Sequence, residues 1–304
     1  MRSVALTAAL MMVCATLLMA GTTLLAKALG SGAMGQSLHP LMVAQGRFVF
    51  GFAAVIVMLG AIKASGRAAW PAHSARPNYL LHATRTLLGW SAGGMMFAAA
   101  AQMPLADANA LAFTAPVATM LFAIPLLGER PGRWRWLAAG LAMTGVFVLL
   151  RSGDGVIQPA ALLALGAAAA MGLEGIAIKR LAVSEPTNRT MLINNAMGAV
   201  LSSGVALSVL VWPQSSGHWL ALIGIGVMMV LVQILNLRAN RIADASFVAP
   251  FFYLTLVWAA LYDLVFFDVW PDWISLTGAS IIVAGGLVMT WREVHTQRLR
   301  ARRV

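Results

Sequence analysis

The chain has 304 residues, of which 60% are hydrophobic and only 10% charged, and its mean hydropathy is +0.82. A soluble domain is roughly 45–50% apolar and about 25% charged, so the composition excludes a soluble fold and points to an all-α, multi-pass membrane protein. The net charge of +11 fits the surplus of Lys and Arg in cytoplasmic loops. No nucleic-acid motif accompanies it, and the single cysteine, Cys14, excludes an intrachain disulfide.

Residues 1–20 begin like a secretory signal, with Arg2 as the charged start. The apolar run continues through Leu25, however, and is read as a retained first span. Ten stretches then reach the length of about 20 residues that a crossing helix needs. They lie at 4–26, 40–62, 78–101, 105–127, 134–150, 157–178, 188–211, 218–237, 244–267 and 273–291. They must be helical, because lipid offers no partner to open backbone groups. Turn-forming residues separate them, among them Gly30-Ser31-Gly32, Gly128-Glu129-Arg130-Pro131-Gly132, Ser152-Gly153-Asp154-Gly155 and Trp270-Pro271-Asp272.

Charge orients the spans. With the N-terminus in the cytoplasm, 17 of the 21 basic residues fall inside and only Lys27 and Arg151 fall outside. The positive-inside rule selects this arrangement, with both termini cytoplasmic.

One stretch recurs. Residues 104–116 read PLADANALAFTAP and residues 241–250 read RIADASFVAP; each Ala-Asp-Ala (Asp107, Asp244) leads into an apolar run with an internal proline (Pro116, Pro250). An echo near half the chain length indicates two fused halves. Five spans per half is odd, so the second half enters from the opposite face. The expected fold is therefore ten transmembrane helices as two inverted five-helix repeats, residues 1–151 and 156–292, followed by a basic tail at 293–304. Inverted repeats are the architecture of secondary transporters, with substrate near the midplane between the halves.

Candidate site residues are the polar and aromatic groups within spans. Arg47 and Arg85 are intramembrane cations. Such groups are functional by default and would attract a carboxylate, although each could instead snorkel or cap a neighbouring helix. Glu174, Asp263 and His82 lie nearer span ends, where interfacial solvation is the simpler reading. No carboxylate is expected at mid-span, which favours exchange or facilitated transport over proton coupling through Glu174. Asn194 and Asn195 on span 7, and Gln233, Asn236 and Asn240 on one face of span 8, are either substrate contacts or helix–helix hydrogen bonds. Span 9 carries Phe251, Tyr253, Thr255, Trp258 and Tyr262, and span 3 adds Trp90; these rings could cradle a partly apolar metabolite or simply pack. The 18 methionines would suit an adaptable pocket. Asp107 and Asp244 are read as helix N-caps, and Gly89 and Gly93 as a G-x-x-x-G close-packing signal.

The same segment, Gly89-Trp90-Ser91-Ala92-Gly93, matches the serine-hydrolase pattern G-x-S-x-G. It falls within a helix, and His82 is more than two turns from Ser91, beyond the reach of a catalytic base. No P-loop and no Cys/His metal spacing occurs. The chain is read as a non-enzyme without cofactor.

The segments HPLMVAQGRF (39–48), RTLLGWSAGGMMFAAAAQMPLADANALAFTAP (85–116) and LLGERPGRWRWLAAGLAMTGVFVL (126–149) resemble the drug/metabolite transporter superfamily, EamA type. ANRIADASFVAP (239–250) and LTGASIIVAGGLVM (276–289) repeat the pattern more loosely. Glu129 matches the family's Gly-Glu pair after span 4, where the second half has Phe267-Asp268. The resemblance implies ten helices in two inverted repeats and a cavity lined by spans 1, 3, 4, 6, 8 and 9. By span it makes Arg85, Trp90, Glu174, Gln233, Asn236, Trp258 and Tyr262 cavity residues. The implied function is alternating-access transport of a small organic metabolite across a bacterial-type inner membrane, as a monomer or homodimer among membrane lipids. The expected activity is export of amino acids or related zwitterions; import of a vitamin such as riboflavin is the alternative, and a membrane-embedded hydrolase using Ser91 a remote third.

Overall fold

The computed structural model describes residues 2–66, 68, 76–128, 130–150, 158–242 and 249–301. Asp244, Glu129, Arg151 and Asp154, named above, lie outside the described residues. Those residues form eleven α-helices, two short 3₁₀ turns and no strand.

The helices are α1 (Arg2–Gly30), α2 (Pro40–Ala64), α3 (Tyr79–Ala100), α4 (Leu105–Ala112), α5 (Ala115–Leu127), α6 (Arg133–Leu150), α7 (Pro159–Ser184), α8 (Thr187–Ala206), α9 (Ser216–Ile242), α10 (Leu254–Phe267) and α11 (Trp273–Ala301). Among the described residues, six segments are long and apolar enough to cross a membrane: Leu6–Gly30, Pro40–Ala64, Leu105–Leu126, Pro159–Ile178, Thr187–Val209 and Ser216–Ala239. Phe251–Phe267 and Trp273–Val288 are shorter apolar helices. Helix α3 falls short of that apolar standard because His82 and Arg85 interrupt its first turns, yet both are buried.

Local chemistry sets the ends. Pro40 sits at the first position of α2, where its missing N–H is no loss, and the His39 ring accepts from the Leu41 N–H. The Asn78 side chain caps α3 by accepting from the Leu81 N–H at 3.1 Å. Gly128 ends α5 in the left-handed conformation that glycine takes without cost.

The two prolines of the repeated stretch fall in the first turn of a helix and in a 3₁₀ turn. Pro116 lies in the first turn of α5, and α4 stops at Ala112, so one apolar segment becomes two helices. Pro250 falls in the 3₁₀ turn Ala249–Tyr253 that leads into α10.

The principal helix pairs are α6 with α11, α1 with α9, α3 with α7, and α2 with α8. Small residues permit these contacts, as expected in lipid, where close van der Waals approach replaces the hydrophobic effect. On α6, a Cβ at Gly145 would stand 2.6 Å from the Gly278 carbonyl oxygen of α11. Two apolar clusters are the largest among the described residues. One holds Leu111, Val146, Leu149 and Ile282; the other holds Leu29, Val43, Phe97, Leu222 and Ile225. A cavity lies between them.

Two polar clusters mark opposite ends of the bundle. The first end gathers the end of α1, the start of α4, the end of α10 and the start of α11. The second end gathers the start of α3, the end of α7 and the start of α8.

Candidate functional site

The cavity has a volume of ≈ 100 Å³ and is lined by residues of α1, α2, α3, α4, α7 and α9. Most of its wall is apolar, including Met19, Met96, Met171 and Met229. Its polar groups are Thr22, Thr23, Arg47, Asn109 and Glu174. The volume is below the roughly 300–1,000 Å³ of pockets for drug-sized ligands, so in this conformation it admits only a compact molecule or a few waters.

Arg47 reaches across from α2 and donates from Nη1 to the Gly89 carbonyl at 3.4 Å. Glu174 comes from α7, and its Oε1 lies 3.7 Å from Arg85 Nε. Arg85 also donates to the Thr190 carbonyl of α8 at 3.5 Å. Two guanidinium groups and one carboxylate therefore meet around a single turn of α3.

Glycine on α3 makes the room. A Cβ at Gly93 would collide with Arg47 Nη1, and one at Gly89 would stand 2.8 Å from Glu174 Oε1. The G-x-x-x-G segment of α3 leaves a trough that holds two charged side chains, Arg47 of α2 and Glu174 of α7.

Glu174 corrects the expectation of an interfacial acid. Helix α7 continues past residue 178 to Ser184, so Glu174 stands 15 residues from Pro159 and 10 from Ser184. At 1.5 Å per residue it is about 15 Å from the nearer helix end. The carboxylate lies well inside the helix, four residues before the end of the crossing segment Pro159–Ile178.

His82 and Asp263 are likewise buried rather than solvated. Glu185 Oε2 lies 3.1 Å from His82 Nε2 and 3.1 Å from Arg189 Nη2, and Glu185 Oε1 accepts the Asn78 N–H at 2.9 Å. Burial alone would push the Glu185 carboxyl up, but the Asn78 N–H, the His82 ring and the Arg189 charge outweigh it and hold the acid below the ordinary glutamate range. At the first end, Lys27 Nζ is 2.6 Å from Asp263 Oδ1 and lies over the Phe267 ring at 4.5 Å. Asp263 Oδ2 accepts the N–H groups of Leu105 and Ala106. The cap of α4 is thus Asp263 from another helix. Asp107, expected in that role, lies in the first turn and accepts from Ser275 Oγ at 3.0 Å.

The remaining candidates do not line the cavity. Trp258 donates to Thr16 Oγ1 at 3.3 Å and Tyr262 to the Leu17 carbonyl at 3.3 Å, so the face of α10 docks on α1. Tyr253 stacks at 5.0 Å on Phe113 and borders a separate apolar groove of ≈ 730 Å³ between α10 and α11. Trp90 packs against the cluster around Val43 and Phe97, and its buried indole N–H has no partner among the described residues. Asn195 donates to its own Met191 carbonyl at 2.9 Å, while Asn194 accepts from Thr86 at 3.2 Å. Gln233 and Asn236 are half-buried on α9, beyond the lining residue Met229. Ser91 donates to the Leu87 carbonyl of its own helix at 2.8 Å, and His82 is bound to Glu185. No catalytic pair forms there.

Thr22, Thr23 and Asn109 were missed by sequence reasoning. The adjacent threonines in an otherwise apolar span, and an amide two residues after Asp107, were the available signals.

The EamA-like transporter family model matches residues 6–151 and again 158–291. The S-adenosylmethionine uptake transporter of Rickettsia prowazekii is 27% identical over 266 residues, 86% of each chain. The riboflavin transporter of Vibrio cholerae is 29% identical over 208 residues, covering 67% of this chain and 69% of the relative. The pseudopaline exporter CntI of Pseudomonas aeruginosa is 27% identical over 195 residues, covering 64% and 69%. Family and relatives indicate a transporter rather than an enzyme. Apolar helices, a charged cavity between them and two matches spanning nearly the whole sequence lead to one assignment: the chain is a multi-pass membrane protein and belongs to the EamA-like transporter family, within the drug/metabolite transporter superfamily.

Proposed function

We propose that the protein exports α-amino acids or related zwitterions by alternating access. The observation that carries this is the convergence of Arg47 and Glu174 on one small cavity. The Arg47 guanidinium holds the substrate carboxylate, and the Glu174 carboxylate, steadied by Arg85, holds the ammonium. Thr22, Thr23 and Asn109 offer further hydrogen bonds, and the four methionines accommodate varied side chains. Arg85 acts on Glu174, whereas Asn195, Gln233, Asn236, Trp258 and Tyr262 serve packing.

The reading includes ten crossings as two inverted five-helix repeats at 1–151 and 156–292, with 293–304 as a tail. The double family match supports it. So does the packing, in which α1–α9 and α3–α7 exchange places when the halves are exchanged. The second end is cytoplasmic, as the distribution of basic residues favours, and the membrane is a bacterial-type inner membrane. S-adenosylmethionine, named for one relative, also carries an α-amino-acid end. The direction rests on the exporter relative alone, since another is named for uptake.

A thermal-shift screen of the detergent-solubilised protein tests the site, since a ligand that binds only the folded form raises apparent stability by RT ln(1 + [L]/Kd). Amino acids should shift the transition. Their decarboxylated amines and N-acyl derivatives should not, and Arg47→Gln should abolish the shift. A shift with riboflavin alone would overturn the zwitterion reading.

A further inference from the structure

We infer that the two buried polar clusters at opposite ends of the bundle are the two gates of the transport path. This rests on the transporter reading but not on any choice of substrate. The first gate is Lys27–Asp263 with the start of α4; the second is Glu185 with His82, Arg189 and Asn78.

Each cluster joins the two halves of the chain. At the first end, α1 and α4 are tied to α10 through the carboxylate of Asp263. At the second, the start of α3 is tied to the α7–α8 junction through the carboxylate of Glu185. From the opposite half, Asp263 gathers the Lys27 cation and two backbone N–H groups, and Glu185 gathers the Asn78 N–H and the His82 ring. Releasing one cluster while the other holds separates the halves at one end only, which is what alternating access requires. Both are closed here, and the cavity between them is small.

Buried ion pairs suit this task. They are strong while dry and weaken once water enters, because attraction falls steeply as the local dielectric rises. Losing one partner leaves the other charge uncompensated, which drives the contact toward solvent.

The first gate is also wired to the cavity. Lys27 is one turn beyond Thr23 on α1, and Leu105 is one turn before Asn109 on α4. Both Thr23 and Asn109 line the cavity. Helix α4 ends at Ala112 and α5 begins at Ala115, so Phe113 and Thr114 form a joint between them. At the second end, His82 lies one turn before Arg85, whose Nε stands 3.7 Å from Glu174.

Cysteine accessibility tests the assignment without a substrate. In a Cys14→Ser background, Ala112→Cys places one thiol on the cavity wall, and a membrane-impermeant methanethiosulfonate reports which side reaches it. Lys27→Met should raise labelling from the first-end side at least tenfold and leave the second-end side unchanged. Glu185→Gln should do the reverse, and Lys27→Arg should restore protection. Labelling that rises from the same side in both variants, or in neither, overturns the proposal. Should Lys27→Met fail to reach the membrane, Asp263→Asn keeps an oxygen for the α4 cap, removes the charge pair and reads the same rate. Gating that holds while amino acids fail to bind would refute the substrate reading alone.

Discussion

The charged cavity and the aromatic seam both meet α1, and they treat polar groups in opposite ways. In the seam, the Trp258 indole and the Tyr262 hydroxyl each donate to α1, so the polar end of each ring is satisfied inside the protein. In the cavity, Arg47 has five N–H donors, and its hydrogen bond among the described residues is one long contact, 3.4 Å, to the Gly89 carbonyl. Glu174 is held loosely by Arg85. A satisfied group cements helices, whereas a loosely held charge is ready for a ligand. The rings have hydrogen-bond partners inside the protein, and the cavity charges are the groups on which the proposed function draws.

Five experiments would break or sharpen that contrast. The largest effect should come from Arg47→Gln. A buried charge contact is worth about 2–5 kcal/mol when one partner is removed, so transport efficiency in reconstituted vesicles should fall at least about 30-fold. Glu174→Gln should discriminate. It should weaken amino acids about tenfold, consistent with a charged hydrogen bond of about 1.5–3 kcal/mol, while sparing carboxylates that lack the ammonium group. Equal losses for both ligand classes would remove the ammonium role.

Gly93→Val should come next. The new side chain occupies the trough and expels Arg47, and overpacking of this kind costs about 1–3 kcal/mol. A drop in thermal stability together with weakened binding is expected; binding at full strength would mean that the trough does not position Arg47. Trp258→Phe should cost about 0.5–1.5 kcal/mol of stability for the lost hydrogen bond to Thr16, with transport within twofold of the parent. A large transport defect would return the aromatic face to the site.

The smallest effect should be the pH response of the second-end cluster. The Glu185 carboxyl is held below the ordinary glutamate range. Its stabilisation is thus fully present above the unfolded value and is lost only as pH falls through the depressed one. Between neutrality and the ordinary carboxylate range, replacing Glu185 by Gln should lower the melting temperature by a constant amount. A difference that fades within that window would contradict the depressed carboxyl.

Much of the fold was legible because lipid leaves few options. Apolar runs must be helices, and their ends are written in residues such as His39-Pro40, Asn78 and Gly128. The prolines of the repeated stretch fall at Pro116 in the first turn of α5 and at Pro250 in a 3₁₀ turn. Arg47 and Glu174 were on the candidate list simply as charges within apolar runs. Hydropathy placed Glu174 near a span end because Lys179 and Arg180 close the apolar window, whereas the helix itself continues to Ser184.

Composition and periodicity alone determined that this chain crosses a membrane as helices, since both depend only on local residue type and on the absence of water. Which polar groups are paired was decided by the tertiary structure. Asp263 caps a helix 158 residues away, and Gly89 and Gly93 shelter charges from two other helices. Hydrogen bonds and steric gaps act over a few ångströms of space, and only the assembled bundle sets which residues share them.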